Sequence, residues 1–369
     1  MTARPGGRSC RHDRPAPRRR DASRAHAIVQ SKGEIIEGSQ TVGVSVIATV
    51  LNERSSIAAL LESLAEQTRP PDEIVIVDGG STDGTWELLQ AAEADGPLPL
   101  RALSLPGANI SAGRNHAIAA ANCQVIAATD AGVRLAPDWL EHLVAPFAAE
   151  NPPDVVGGVF VSAPQSLFER TLGAITLPRP DELQAESFLP SSRSVAFTKA
   201  IWETVGGYPE WLDYCEDLVF DLAMRRQEGQ FALSTDAVVY FRPRPTLRAF
   251  AKQYYRYARG DGKADLWRGR HAIRYGTYLV AAPALLALAW AHSPWWLLGL
   301  AVGSAGMFWR PLRRLWPEIA SANWRDAIAM LALLPIVVVT GDVAKMAGYP
   351  VGLAWRRRHL RRTPSSGAD

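Results

Sequence analysis

The sequence predicts an α/β fold, a mostly parallel sheet with helices on both faces, followed by a helical hairpin apolar enough to enter a membrane. Three observations carry this prediction. β-rich runs alternate with helix-period runs through residues 43–161, the signature of repeated βα units. Polar clusters fall at the ends of three of these strands. Three long apolar runs follow residue 277, and seven of the twelve tryptophans lie after residue 289.

The elements follow in order. Val44–Thr49 is a short β-rich strand, and Ser56–Gln67 is a helix whose stripe is Ile57, Leu60, Leu61 and Leu64. Glu73–Asp78 is the second strand, Gly84–Glu93 a helix and Leu100–Leu105 a strand. Ser111–Ala121 is helical with Ser111 as its N-cap, and Gln124–Ala128 is the next strand. Pro137 opens a helix that runs through Ala149, and Val155–Val161 is again a strand. Further on, helices are expected over Asp217–Arg226 and after Thr246, the latter with Phe250, Tyr254 and Tyr257 at i, i+4 and i+7.

Length and composition bound the function. The chain has 369 residues, 47% hydrophobic and 21% charged, so it can build a real core. Its net charge of +3 is unevenly placed. Residues 1–24 hold eight Arg against two Asp, and residues 356–369 hold five Arg against one Asp, which leaves an acidic excess between them. A nucleic-acid-binding body would need a basic face, so that class is disfavoured. Cys10, Cys123 and Cys215 make neither a disulfide framework nor a paired-cysteine zinc site, and they fit a reducing compartment.

Residues 1–40 are rich in Arg, Pro, Ser and Gly, lack apolar periodicity, and read as a disordered basic tail with no signal peptide. Tyr278–Ala291 and Trp295–Trp309 are apolar runs separated by Ser293-Pro294, and a third run covers Ala327–Gly341. The first two suit a tight hairpin whose turn is Ser293-Pro294. Tryptophan placement favours a membrane interface over a buried soluble hairpin. Arg268, Arg270 and Arg274 precede the first run, Arg310, Arg313, Arg314 and Arg325 follow the second, and Arg356–Arg358, Arg361 and Arg362 follow the third. Basic flanks belong on the cytoplasmic side, which predicts that the first two runs cross and the third does not cross fully. Asp342 and Lys345 suit an interfacial or re-entrant third helix, and a true third span is the alternative.

Open α/β sheets bind ligands at the carboxyl ends of their strands. Those positions hold Asn52-Glu53, then Asp78-Gly79-Gly80-Ser81-Thr82-Asp83-Gly84, then Asp130. Glycines allow tight turns and close backbone approach, and a helix N-terminus offers N–H groups to an anion. No G-x-G-x-x-G and no P-loop Gly-Lys-Ser/Thr is present here. Each cluster alone reads as a turn or cap, but three on one sheet read as a nucleotide-like ligand site.

The run VSVIATVLNERSSIAALLESLAEQTRPPDEIVIVDGGSTDGT resembles the opening of an inverting glycosyltransferase family 2 enzyme of the GT-A fold. GRNHAIAAA (Gly113–Ala121) resembles that family's Arg-Asn helix, and AATDAG (Ala127–Gly132) sits where its Asp-x-Asp motif falls. VGGYPEW followed by YCEDLVFDLAMR resembles its Gly-Gly turn and Glu-Asp motif. QYYRY (Gln253–Tyr257) resembles the Gln-x-x-Arg-Trp motif of membrane polysaccharide synthases. The resemblance covers roughly residues 43–260, and the C-terminal hairpin is similar to that of membrane-attached members.

The resemblance implies roles by position. Asn52, Glu53 and Asp78 would hold the base and ribose of a nucleotide-sugar, with Arg114 near the nucleotide. Asp130 would bind a divalent cation, Mg²⁺ or Mn²⁺, on the diphosphate. Asp217 would be the general base, with Glu216 beside it, and Gln253, Arg256 and Tyr257 would line the acceptor and diphosphate side. A hard cation or an arginine stabilises a leaving diphosphate, and a carboxylate must take the acceptor's proton. Two departures stand out. The metal motif reads Asp130-Ala131-Gly132, and the opening turn reads Asp78-Gly79 where many relatives have two Asp. Tyr257 also replaces Trp, which together with the short membrane region argues against processive synthesis. Without the resemblance, Glu216 and Asp217 would read as helix-capping acids.

The expected organisation is a basic tail over 1–40, a GT-A domain over 41–245, an amphipathic interfacial region over 246–273, a membrane region over 274–355 and a basic cytoplasmic tail over 356–369. The expected activity is inverting transfer of a sugar from a nucleotide-diphospho-sugar to a lipid-linked or polysaccharide acceptor, by an enzyme anchored to the cell membrane with its catalytic domain in the cytoplasm. Nucleic acid is not an expected partner. The alternatives are a non-catalytic nucleotide-sugar-binding partner subunit and a nucleotidyltransferase.

Overall fold

The strands nearest the site lie parallel, and their burial explains why. A computed structural model describes residues 42–185 and 187–359, so the expected tail over 1–40 and residues 360–369 lie outside it. Strand β1 (Val44–Val50) lies between β2 (Glu73–Asp78) and β4 (Val125–Ala128), and β3 (Leu100–Ser104) flanks β2, all parallel. Val44, Val46, Ala48 and Val50 face one buried cluster, and Ile47 faces the other. Ile74 and Ile76 of β2 split from Val75 and Val77 in the same way. Both faces are covered, so these strands read as near-continuous apolar runs. Helices α1 (Arg54–Ala65), α2 (Thr85–Asp95) and α3 (Ile110–Ala120) connect them.

Beyond β4 the sheet changes direction, and the expectation of a mostly parallel sheet needs qualification. The order is β3-β2-β1-β4-β7-β6-β8-β5. Strand β7 (Val195–Thr198) runs antiparallel to both β4 and β6 (Val155–Ser162), and β5 (Val133–Leu135) runs antiparallel to β8 (Phe231–Phe241). Strands β6 and β8 are parallel, so four of the seven pairings are parallel and three are not. Helix α4 (Trp139–Val144) is shorter than the expected helix from Pro137 to Ala149, with a 3₁₀ turn over Ala145–Ala148 completing it. The N-cap of α3 is Asn109, whose side chain accepts from the Ala112 N–H at 2.9 Å, and not Ser111, which lies inside the helix and is buried.

The C-terminal helices pack on α5 (Leu167–Thr176) and α8 (Leu247–Ala264), while α6 (Lys199–Val205) and α7 (Glu216–Arg226) pack on each other. Thr246 caps α8 by accepting from the Ala249 N–H at 3.2 Å. Helix α9 (Arg268–Tyr275) passes through a π-turn over Gly276–Ala281 into α10 (Ala282–Ala291). A 3₁₀ turn over Pro294–Trp296 leads to α11 (Leu297–Ser321), so a hairpin turn does form at Ser293-Pro294. Helix α11 runs on past Trp309 through Pro311 and Pro317. Glu182 anchors it, taking Arg310, Arg313 and Arg314, and the hydrogen bond from Arg314 leads in holding that carboxyl down at about 2.

Helix α12 (Trp324–His359) is one uninterrupted helix. Two stretches are long and apolar enough to cross a membrane, Arg268–Ala291 and Trp324–His359. They contain the first and third apolar runs; the second lies in α11, whose apolar stretch is cut short by Arg310, Arg313 and Arg314. Asp342 pairs with Arg274 at 2.6 Å and accepts from the Tyr278 hydroxyl at 3.1 Å, and the Lys345 ammonium sits 4.5 Å from the centre of the Tyr254 ring. Both charges face protein, so they do not interrupt the apolar outer face of α12, where Ile328, Val343 and Val351 are exposed.

Helix α12 packs along α8 at backbone contact. A Cβ at Gly348 would lie 2.1 Å from the Tyr255 carbonyl, and one at Gly352 would lie 2.1 Å from the Arg259 carbonyl. Small residues four apart let helices approach this closely. Gly352→Leu is therefore expected to push the helices apart at a cost of about 1–3 kcal/mol, the usual penalty for overpacking. Thermal melting of the detergent-solubilised protein checks this, and an unchanged midpoint would contradict the tight crossing.

Candidate active site

The carboxyl ends of β1, β2 and β4 come together because those strands are parallel neighbours in register, with Val50 opposite Asp78. Here Asn52 takes a positive φ of 57°. Its N–H donates to Ser81 Oγ at 2.8 Å and its Oδ1 accepts from the Thr82 N–H at 2.9 Å, stitching the loop after β1 to the loop after β2. The Glu53 N–H donates to Thr85 Oγ1 at 2.9 Å, and its carboxylate accepts from the Ser56 hydroxyl. Asp78 is 1% exposed. Its Oδ1 accepts from the N–H groups of Gly80 and Ser81, both at 2.8 Å, while Oδ2 has no hydrogen-bond partner among the described residues. A buried, unpaired carboxylate oxygen is costly unless a ligand completes it. Gly80 needs its lack of a side chain, since at φ 98° a Cβ would lie 3.2 Å from the Pro106 backbone.

A cavity of about 720 Å³ opens beside this corner. Arg114, Asp130, Arg193, Glu216, Asp217 and Arg256 line its inner end, and Trp267, Arg270, Arg274 and Lys345 line its far end. Asn52, Glu53 and Asp78 are not among its lining residues. The residues expected to hold a nucleoside and those expected to do chemistry therefore form two adjoining groups.

Arg114 is the hub of the second group. It is fully buried on α3, donates from one terminal nitrogen to Glu216 Oε1 at 2.8 Å, and from the other to Asp130 Oδ1 at 2.8 Å. Its guanidinium also lies 5.3 Å from the centre of the Tyr208 ring. Arg114 thus bridges two carboxylates, where the resemblance implied a place near the nucleotide. Glu216 is buried at the start of α7, and burial together with the neighbouring Asp217 raises its pKa against the opposing pull of Arg114. Asp217 is only partly buried and faces the cavity. Its Oδ1 accepts from the Leu218 N–H at 2.8 Å, and its Oδ2 is 3.4 Å from the Ser191 hydroxyl. Of the two acids, Asp217 is the more exposed.

On α8, Gln253 and Tyr257 are joined by a hydrogen bond of 2.6 Å from Gln253 Nε2 to the Tyr257 hydroxyl. Arg256 lies with its guanidinium 5.3 Å from the centre of the Tyr214 ring. Cys215 is tucked under Asp261 and the Tyr257 carbonyl, and burial pushes its thiol well up, so it is an inert spacer.

Sequence reasoning missed two features. Arg193, on the loop before β7, lies 3.5 Å from Asp130 Oδ2 and lines the cavity. No local signal marked it, because its partner is 63 positions away. The Gly206-Gly207 turn is also tied to the Arg-Asn helix. Asn115 Oδ1 accepts from the Tyr208 N–H at 2.8 Å, and a Cβ on Gly207 would lie 2.7 Å from that oxygen.

The expected cation does not fit the donors present. Both oxygens of Asp130 face arginines, and Ala131 and Gly132 supply no side-chain oxygen. Among the described residues no group of three or more His, Cys, Asp or Glu gathers to hold a metal. Hard divalent cations need several oxygen ligands free of competing positive charge.

A curled α/β sheet with acidic strand ends and a carboxylate-lined cleft defines the GT-A class of nucleotide-sugar enzymes. Residues 45–200 match the family Glycosyl transferase family 2, so the chain carries a glycosyltransferase domain of that kind. It is 28% identical to the succinoglycan biosynthesis protein ExoA of Rhizobium meliloti (strain 1021), over 66% of this chain and 78% of that protein. It is 34% identical to an undecaprenyl-phosphate 4-deoxy-4-formamido-L-arabinose transferase of Yersinia enterocolitica, over 37% of this chain and only 42% of that protein. Its fold is similar to that of a mannosyltransferase from Pyrobaculum calidifontis solved in complex with GDP-Man and Mn²⁺, with a TM-score of 0.51 and 21% identity over 86% of this chain and 88% of that one.

Proposed function

We propose that this enzyme moves one sugar, with inversion, from a nucleotide-diphospho-sugar to an acceptor held at a membrane surface. The observation that carries the reading is a single cavity that runs from Asp217 to Arg274 and Lys345, which belong to the two stretches apolar enough to cross a membrane. Asp217 takes the proton of the acceptor hydroxyl as its oxygen attacks the anomeric carbon. The bond from that carbon to the diphosphate oxygen breaks, and the nucleoside diphosphate leaves with the electron pair. One displacement with one base inverts the centre. Asp78, through its unpaired Oδ2, holds the nucleoside, with Asn52 and Glu53 shaping that loop.

The acceptor is lipid-linked. A relative named for undecaprenyl phosphate supports this, as does the lining of the cavity by residues of α8, α9 and α12. In this reading residues 41–245 are the catalytic domain, 246–273 lie at the interface, 274–355 are membrane-embedded, and the active site faces the cytoplasm.

The test is donor turnover by the purified, detergent-solubilised chain against a panel of nucleotide-sugars and a polyprenyl-linked acceptor extract, each with Mg²⁺, Mn²⁺ and EDTA. Acceptor-dependent release of a nucleoside diphosphate from one donor is expected. Binding of nucleotide-sugars without turnover under every condition would favour a partner-subunit role instead.

A further inference from the structure

A glycosyltransferase must neutralise the charge that develops on a leaving diphosphate, and the residue placed for a metal here is already neutralised. Asp130 Oδ1 accepts from Arg114 at 2.8 Å, and Oδ2 is 3.5 Å from Arg193 Nε. Arg114 spends its other terminal nitrogen on Glu216. Arg193 has no second carboxylate among the described residues; it donates to Ser191 Oγ at 3.4 Å, hydrogen-bonds Tyr257, lies with its guanidinium carbon 4.9 Å from the centre of the Phe241 ring, and lines the cavity. Arg256 lines the same cavity and has no carboxylate partner at all among the described residues. A partly buried guanidinium without a carboxylate is an anion site waiting for its anion, and the planar fork matches a phosphate in two-point contact.

Resting on the nucleotide-sugar reading above and on the diphosphate-side place already expected of Arg256, we propose that Arg193 joins Arg256 on the diphosphate of the donor in place of a divalent cation, and that Asp130 is the counter-ion that orients Arg193. Both cations line the cavity, one from the loop before β7 and one from α8, and Asp217 lines it as well. Preorganised cations of this kind act where charge develops and need no reorganisation at the moment of bond breaking. The proposal also accounts for the missing acid of the Asp130-Ala131-Gly132 motif. With arginine charge already present, a second carboxylate would only cancel it.

The experiment is calorimetric titration of UDP and of GDP into the full, detergent-solubilised chain, in EDTA and in Mn²⁺. The expected result is binding of one nucleotide with the same affinity in both buffers. Arg193→Gln and Arg256→Gln should each weaken it by about tenfold or more, the scale of a lost charge-assisted hydrogen bond. Asp130→Asn should still bind in EDTA, because it removes a counter-ion and not a ligand, and a thermal melt of each variant shows that it is folded. Binding seen only with Mn²⁺ and lost in Asp130→Asn overturns the arginine site while leaving the glycosyltransferase reading intact. Wild-type affinity in both arginine variants overturns it as well. No binding of UDP or GDP in either buffer overturns the arginine site, while turnover in the donor panel would keep the glycosyltransferase reading.

Discussion

Asp217→Asn is expected to lower sugar transfer by about 10²–10⁴-fold, the usual contribution of a positioned general base. The substitution is chosen because Asp217 has a competing structural explanation. It sits in the first turn of α7, where acids favour the helix terminus, and its Oδ1 accepts from the Leu218 N–H. Asparagine keeps that oxygen and the side-chain shape while removing the ability to hold a proton. If Asp217 is only a cap, the variant keeps its activity and its melting point shifts slightly. If it is the base, turnover collapses while the melting point and the binding of UDP or GDP stay close to wild type. Glu216→Gln gives the contrast. Glu216 is buried against Arg114, so its loss should appear first in stability.

The parts of this protein that the sequence reveals are those whose signal is local. Strands β1 and β2 announce themselves because both faces are buried, and the turn after β2 because Asp78 and Gly80 must make a tight loop. The register of the other half of the sheet is not legible. Whether β7 runs parallel or antiparallel to β4 depends on where a long loop returns, and three residues suffice for β5 once β8 offers it an edge. Charge pairing is the other blind spot. Glu182 gathers three arginines about 130 positions away, and Asp130 is claimed by arginines on either side of it in the chain. Position alone suggested a metal ligand, and only the folded neighbours reveal two guanidinium groups on its oxygens. The same holds for α12. Asp342 and Lys345 look like interruptions in a hydropathy profile, but each turns toward protein, onto Arg274 and the Tyr254 ring.

Arg114→Met is expected to destabilise the protein by about 3–5 kcal/mol, the cost of breaking a buried ion pair by removing one partner. Methionine retains much of the volume, so the loss is mainly of charge. It leaves Glu216 buried without a cation, and Asp130 with Arg193 alone. The pH dependence identifies the cause. Burial and Asp217 already raise the Glu216 pKa, and Arg114 is the group that opposes them. Without Arg114 the folded-state pKa climbs further above the unfolded value, so the folded state binds the extra proton. Stability then falls as pH rises through the window between the unfolded and folded pKa values, and acidification restores part of it. The variant should therefore melt higher at mildly acidic pH than at alkaline pH, with a steeper dependence than wild type. Adding Glu216→Gln should recover part of the loss and flatten that dependence, because the two residues are coupled and their effects are not additive. Arg114→Lys should fall short of wild type too, since one ammonium cannot span two carboxylates with the fork of a guanidinium. A loss in Arg114→Met that is independent of pH and unrelieved by Glu216→Gln would mean that Arg114 acts through packing on Tyr208, and the bridge between Asp130 and Glu216 would then carry no energetic weight.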